Sequence, residues 1–400
     1  MSNSYRTPGV YREDVVPVRA VALPTGVPAF LGHATAGPLG EPVRLTLPGQ
    51  LAERFGAPPE GGYLAAAVDG FFGNGGRECF VVRLDAPVGG ESGDGGETLA
   101  KAYEGALRAL EALQEIDLVC APDLWAAFQA DQPWQLEERL RLQAAILEHC
   151  HGLGDRFALL DAFPGGDAGR VLGDQRDSLP AEAGANGALY FPWLRPLGSA
   201  RLVPPCGHVA GVVARSDNRV GVHKAPANEA LEGVVDLAVD LTDAEQGPLN
   251  QAGVNALRAF PGRGLRVWGA RTLSPAPAWM YINVRRIFLT AARWIERNLS
   301  DAAFEPNDPR LWNRISRELN TYFEGLFRAG ALKGRTPAEA FFVKCDGEVN
   351  PPEVREAGQV VTVIGLAPAL PNEFVVVRII HGATGASVTG IADIAGPATA

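Results

Sequence analysis

The chain has 400 residues, 46% of them hydrophobic, with 46 acidic against 36 basic side chains and a net charge of -10. That apolar content supports two or three domains at about 150 residues each, and the acidic balance argues against nucleic acid or an anionic bilayer as a partner. Glycine and proline, 47 and 31 residues, follow no fixed period, which excludes collagen, a long coiled coil and wholesale disorder.

From Ser2 to Ala29 the chain mixes Pro8, Gly9, Pro17, Pro24 and Pro28 with short valine-rich pieces. Extended segments between turns are expected there, with no globule of their own and no signal-peptide core. Pro28–Gly32 and Cys79–Leu84 read as buried strands, with a helix from Tyr63 through Phe72 between them. The run GGESGDGG, Gly89 to Gly96, has no side chain that repays ordering and reads as a mobile surface loop. Beyond it the apolar period becomes 3.6: Leu99, Ala102, Ala106, Leu107, Leu110 and Leu113 predict one helix, and Leu136, Leu140, Ala144 and Leu147, after Pro133, a second.

Ile116–Ala121, Phe157–Leu160 and Ala188–Phe191 read as strands alternating with these helices, a βαβ-like layer. Ala210–Arg215 and Leu249–Phe260 are expected to be helical, and Leu265–Trp268 a strand. Met280–Asn298 and Leu311–Phe327 read as two long facing helices, the second capped by Asp308, started by Pro309 and stopped by Gly330. Phe341–Cys345, Gln359–Leu366 and Glu373–Ile380 then supply three strands, so the fold class is α/β followed by α+β. After His381 the tail is rich in glycine, alanine and threonine and has no obvious way to fold alone.

Little in the sequence suggests catalysis. There is no GxxxxGK[ST] and no GxSxG. His149 and His151 flank Cys150 two apart, so they point in different directions on a helix end and predict no metal site. Cys79, Cys120, Cys150, Cys206 and Cys345 are odd in number and form no C-x-x-C pair, which fits buried thiols in a reducing compartment. Cys206 and His208, with Asp161 at a strand end, are the one candidate nucleophilic set, and they define the enzyme alternative. Cys345-Asp346 reads as a buried thiol followed by a turn acid. No apolar run is long enough for membrane insertion, and no cofactor is expected. Arg285 and Arg286 admit two readings, a solvated helix edge or fixed ion pairs to a partner subunit.

Several strings in order along the chain resemble the contractile tail sheath proteins of phages, R-type bacteriocins and phage-tail-like injection systems. They include Pro8-Gly9-Val10-Tyr11, Gly26–Gly32, Phe71–Gly76, Lys224-Ala225-Pro226-Ala227-Asn228, Val267–Thr272, Tyr281–Arg286, Phe304-Glu305-Pro306-Asn307, Gly330-Ala331-Leu332 and Phe342–Asp346. The middle of the chain, Asp85 to Leu202, carries no such string.

The resemblance implies a tail-sheath fold, with a layered α/β first part and C-terminal helices on a small sheet completed by exchanged terminal arms. It implies a helical homo-oligomer around an inner tube protein, bounded by baseplate and terminator proteins, that contracts to drive the tube through a target membrane. Assembly is expected in the cytoplasm, the particle being released or attached to a membrane through its baseplate. A non-contracting tube or shell subunit is the structural alternative.

On this reading residues 1–21 form an extended arm and 22–88 the first part of the core. Residues 97–202 form a variable outward-facing domain, 203–372 the tube-facing C-terminal domain, and 373–400 a last strand and arm. Val10, Tyr11, Val15, Val16 and Val18 belong to the donated strand. Glu373, Phe374, Val375, Val376 and Val377 lie in the accepting sheet or lead into the second arm. Arg285, Arg286, Arg293 and Arg297 are the candidates to meet carboxylates of the tube.

Overall fold

A computed structural model of the chain describes residues 23–85, 95–129, 132–165, 167–373, 377–382 and 385–390. The strands, in chain order, are β1 (Pro28–Gly32), β2 (Pro42–Leu45), β3 (Cys79–Arg83), β4 (Leu118–Cys120), β5 (Phe157–Asp161), β6 (Gly187–Phe191), β7 (Leu194–Pro196), β8 (Glu229–Ala230), β9 (Val234–Leu237), β10 (Val254–Phe260), β11 (Gly264–Val267), β12 (Phe341–Lys344), β13 (Val363–Leu366), β14 (Val377–Gly382) and β15 (Gly385–Gly390). The helices are α1 (Gln50–Phe55), α2 (Leu64–Gly73), α3 (Gly95–Leu110), α4 (Pro133–Leu153), α5 (Ala168–Arg170), α6 (Cys206–Arg219), α7 (Asp243–Gln251), α8 (Ile282–Leu299), α9 (Pro309–Arg328), α10 (Pro337–Ala340) and α11 (Pro352–Glu356).

Nine strands form one sheet in the order β2-β3-β1-β4-β5-β6-β10-β11-β8. The run from β3 to β10 is parallel, and antiparallel strands close both ends. Because both faces of the parallel part are covered, its strands are apolar on both sides. Ala29 and Leu31 of β1 pack toward Leu99, Tyr103 and Leu107 of α3 and Leu142 and Ile146 of α4. Phe30, between them, packs toward Leu64, Val68 and Phe71 of α2 and Val209 and Val213 of α6. Gly207 and Gly211 let α6 lie directly on the α2 backbone, where a Cβ would overlap Ala67 and the Phe71 carbonyl.

A smaller layer follows. Leu311, Ile315, Leu319 and Phe323 of α9 pack with Ala291 of α8, Phe341 of β12 and Ile364 and Leu366 of β13. Trp294 and Tyr322 stack with ring centroids 4.2 Å apart. Asp308 caps α9 through Arg310 N–H and Leu311 N–H, and Gly330, at φ +78°, ends it, as the sequence predicts.

One expectation is corrected. Leu249–Phe260 is not one helix, because Gly253 at φ +84° turns the chain after α7. Val254 and Ala256 then face one side of the sheet and Leu257 the other, an alternation hidden in a short apolar run.

Segments 22–88, 97–202 and 203–372 each contribute strands to the nine-stranded sheet, in which β1 and β3, β4 to β6, and β10 are neighbours. Of the stretch Glu373–Val377, expected in the accepting sheet or leading into the second arm, Val377 begins β14, which pairs with β15. Residues 86–94, most of the glycine-rich loop, lie outside the described residues, and α3 begins at Gly95.

Candidate functional site

Residues 1–22 lie outside the described residues, and the chain just after them is gripped closely. Asp117, just before β4, accepts the Gly26 N–H at 3.0 Å and the Val27 N–H at 2.7 Å. Arg286 of α8 donates to Asp117 at 2.8 Å and, through both terminal nitrogens, to Asp217 of α6 at 2.6 and 2.9 Å. The Thr25 hydroxyl also reaches Asp217. One turn pair further along α8, Arg293 donates to the Pro24 carbonyl at 3.0 Å and to those of Gln114 and Glu115 at 3.0 and 3.1 Å.

Ile282, Arg286, Leu289 and Arg293 share one helical stripe by their spacing, so α8 presents two arginines and two aliphatic side chains to the sheet layer. Arg286 is only 2% exposed. Burial alone would weaken its charge, but Asp217 and Asp117 outweigh that and hold its pKa above the ordinary arginine value. Removing one member of such a buried group strands the others and costs about 3–5 kcal/mol.

The carboxyl-terminal root is tied to the same helix. Arg271 pairs bidentately with Glu373, its Nε donating at 2.9 Å. Asn283 of α8 donates to the carbonyls of His223 at 3.0 Å and Ala369 at 3.1 Å. Ala369 N–H donates to the Ala331 carbonyl, and Lys333 N–H to that of Ala367. Pro24 to Val27 and Ala369 to Glu373 are thus fastened by α8, by Asp117 and by Arg271, which bridges to Tyr281.

The expected tube-facing arginines divide. Arg286 and Arg293 are buried and donate to groups of their own chain. Arg285 is half-buried, donating to Asn186 at 2.9 Å with its guanidinium 4.8 Å from the Trp279 ring centroid. Arg297 is exposed.

The residues that sequence reasoning missed are on α9. Arg310 and Arg317 are exposed and make no ion pair among the described residues, and Arg328 on the same stripe pairs only with Glu324. Taking the stripe opposite Leu311, Ile315 and Leu319 would have found them. Val10, Tyr11, Val15, Val16, Val18, Phe374, Val375 and Val376 lie outside the described residues, while Val377 begins β14.

The nucleophilic alternative is not assembled. Asp161 accepts the Cys206 N–H at 2.7 Å, so it caps α6 at its amino end, and its carboxyl, hydrogen-bonded to the Cys206 side chain, adds to the burial that raises that thiol's pKa. Burial holds the Cys206 thiol well above its ordinary pKa, lifts Asp161 to about 7 and lowers His208 to about 4. His208 packs on Gly70 of α2, and its Nδ1 has no hydrogen-bond partner.

A cavity of about 620 Å³ beside Trp193 and Arg201 is lined by none of these three residues. Open parallel sheets bind ligands where strand order reverses, here between β1 and β4, and that position is filled by the chain's own Asp123. It accepts the N–H groups of His33 at 2.6 Å, Leu64 at 3.2 Å and Tyr63. Helix α2 therefore offers its amino end to an internal carboxylate. Among the described residues no acidic, histidine or cysteine cluster could hold a metal, and no helix is long and apolar enough to cross a membrane.

Residues 100–273 match the family model of the phage tail sheath protein central domain, and residues 274–380 that of the phage tail sheath C-terminal domain. The tail sheath protein of Vibrio phage KVP40 is 31% identical over 199 residues, 48% of this chain, and that of Enterobacteria phage T4 26% identical over 200 residues, 49% of this chain. Those matches span 28% and 29% of the two phage proteins, less than a third of their length. The helical sheath of the anti-feeding prophage in its contracted state superposes with a TM-score of 0.72 at 30% identity, covering 95% of this chain and all of the other. The sheath of an extracellular contractile injection system, PVC, also contracted, gives 0.72 at 26% identity, covering 96% and 99%.

Proposed function

The chain belongs to the phage tail sheath family, and from that premise we propose that it is the repeating subunit of a contractile sheath, polymerised helically around an inner tube. The observation that carries this reading is mechanical. A rigid two-faced sheet body is joined to a small layer whose two-stranded sheet is incomplete by itself, and the chain leaves both through roots pinned to one helix. A two-stranded sheet has two edges of main-chain groups open to further pairing, so β12 and β13 suit completion by strands from neighbouring copies. Strand addition satisfies main-chain groups with little demand on sequence.

In this account Val10 to Val21 of one copy is donated to the small sheet of another. About 20 extended residues reach at most roughly 66–70 Å, enough to arrive at an adjacent body. The arms act as tethers while bodies re-pack from an extended to a shorter lattice, the stored state being held by a kinetic barrier. Head-to-tail contacts that do not close produce the helix.

Partners are the inner tube, a baseplate and a terminator, within a phage tail or injection-system particle. Contact with the tube is assigned to α9, where Arg310 and Arg317 are free to meet carboxylates, with Arg297 of α8 beside them as the remaining candidate from that helix. Many modest ion pairs can hold in one state and release in the other.

Electron microscopy of the purified protein with its tube, before and after triggering, tests the proposal. Ridged sleeves that shorten and widen are expected. Sleeves of a single length under every condition would mean a static tube or shell.

A further inference from the structure

The cavity of about 620 Å³ beside Trp193 lies at the carboxyl ends of β5 and β6. That volume is inside the range of about 300–1,000 Å³ that small-molecule sites occupy. Its inner wall is aromatic and already braced. Phe163, just past β5, and Phe191, the last residue of β6, are buried, and Trp193 follows them. Trp193 donates from Nε1 to the Ala162 carbonyl at 2.7 Å and meets Tyr63 edge-on, with ring centroids 5.1 Å apart. Phe163 N–H donates to the Gln175 side chain at 3.0 Å.

Two cations complete the lining. Arg201 lies over the Tyr63 ring, its guanidinium 3.9 Å from the centroid, and donates to the Gly61 and Gly62 carbonyls at 2.5 and 3.0 Å. Those bonds fix its position without neutralising its charge. Arg195 is less well served. Its Nε is shielded from solvent and has no hydrogen-bond partner, and Asp236, its ion contact among the described residues, stands 3.8 Å away. That distance is beyond a hydrogen bond, and a shielded charged donor left unpaired is costly. The acid on the lining, Asp167, already accepts the Arg170 N–H as the cap of α5.

Aromatic walls with guanidinium groups beside them suit one class of ligand, a flat apolar body that carries a carboxylate. Planar guanidinium forks match a carboxylate in geometry as well as charge, and ring faces and edges take the body. We propose that this cleft is a binding site for a small aromatic carboxylate, with Phe191 and Trp193 against the ring and Arg195 and Arg201 on the carboxylate. Leu202 and Val239 also line it. An occupant therefore ties the 197–202 turn and the chain after β9 to the ends of β5 and β6. The inference stands apart from the strand-exchange reading and does not need it.

Isothermal titration of the full-length chain with naphthoate, and with its neutral amide naphthamide, tests the proposal. One saturable site for naphthoate is expected, with naphthamide about tenfold weaker or more, the difference that hydrogen bonds to a charged group make. Arg195→Gln is expected to weaken naphthoate by about tenfold and to leave naphthamide unchanged, a split that a merely structural arginine would not produce. Ala200→Trp places a bulky ring on the lining from an exposed position and is expected to abolish binding of both. If that variant shows no cooperative melting transition, Val239→Phe fills the same space and takes its place.

No saturable heat up to about 1 mM naphthoate overturns the site. So does undiminished binding to the filled variant, which would put the ligand elsewhere on the chain. Equal affinity for naphthoate and naphthamide, or unchanged naphthoate affinity in Arg195→Gln, overturns the assignment of the carboxylate.

Discussion

The sheet body and the C-terminal layer satisfy their polar and apolar groups in opposite ways. In the body several charges are internal: Arg286 is shared by Asp117 and Asp217, Arg293 donates to three carbonyls, and Asp123 fills the sheet's natural ligand position. In the C-terminal layer α9 turns Arg310 and Arg317 outward with no ion pair among the described residues, and β12 and β13 expose Phe342 and Val363 on a face shared with Lys344. The contrast teaches that one region satisfies its own groups, while the other leaves groups that, in the function proposed above, neighbours satisfy. A subunit that must move without separating needs both, a body that transmits force and a joint that belongs to two chains.

The sharpest way to break this contrast is deletion of residues 1–20. Sleeves should be abolished while the body's thermal transition stays where it is, because the pinned root begins at Pro24; a collapse of the melting temperature would mean that the arm belongs to its own body.

Arg286→Met tests the other side, with an expected loss of about 3–5 kcal/mol in denaturant unfolding because two carboxylates remain buried without their partner. Unchanged stability would show that the root is held by something else. Arg310→Glu combined with Arg317→Glu should leave monomer stability within about 0.5 kcal/mol, as exposed substitutions do, yet impair assembly on tubes in a co-sedimentation assay. Full assembly would remove α9 from that role.

The smallest effect is on pH. His208 and His149 are buried enough to lower their pKa values to about 4 from 6.5. Below about 6.5 the unfolded chain binds protons at these two histidines that the folded chain excludes, so their contribution to stability should fall as pH drops from 6.5 toward 4, against the opposite contribution of Asp161, whose buried carboxyl is raised to about 7. His208→Gln should flatten that slope in melting curves taken across the window; an unchanged slope would assign it to other groups.

Much of the body was legible because parallel strands covered on both faces are continuous apolar runs, and β1, β3, β5 and β6 appear as such in the sequence. Short edge strands such as β2, with the pattern Pro42-Val43-Arg44-Leu45, carry too few residues to declare themselves.

The site was less legible for a different reason. Helix α8 lies between two layers and is buried on more than one side, Ile287 and Ala291 on one stripe and Arg286 and Arg293 on another. A helix read as having one apolar face and one wet face therefore misplaces its arginines. The partner that decides the matter, Asp117, is 169 residues away in sequence, beyond any local pattern. The outward cations of α9 obey the ordinary rule and were accessible to it.

The central claim is that the amino-terminal segment of one copy completes the small sheet of another. A density map of the assembled sleeve, traced outward from Leu23, tests it most directly. The account predicts continuous density running from Leu23 into an added strand beside β12 and β13 of an adjacent copy. Density that returns from Leu23 to its own body in every subunit would contradict it.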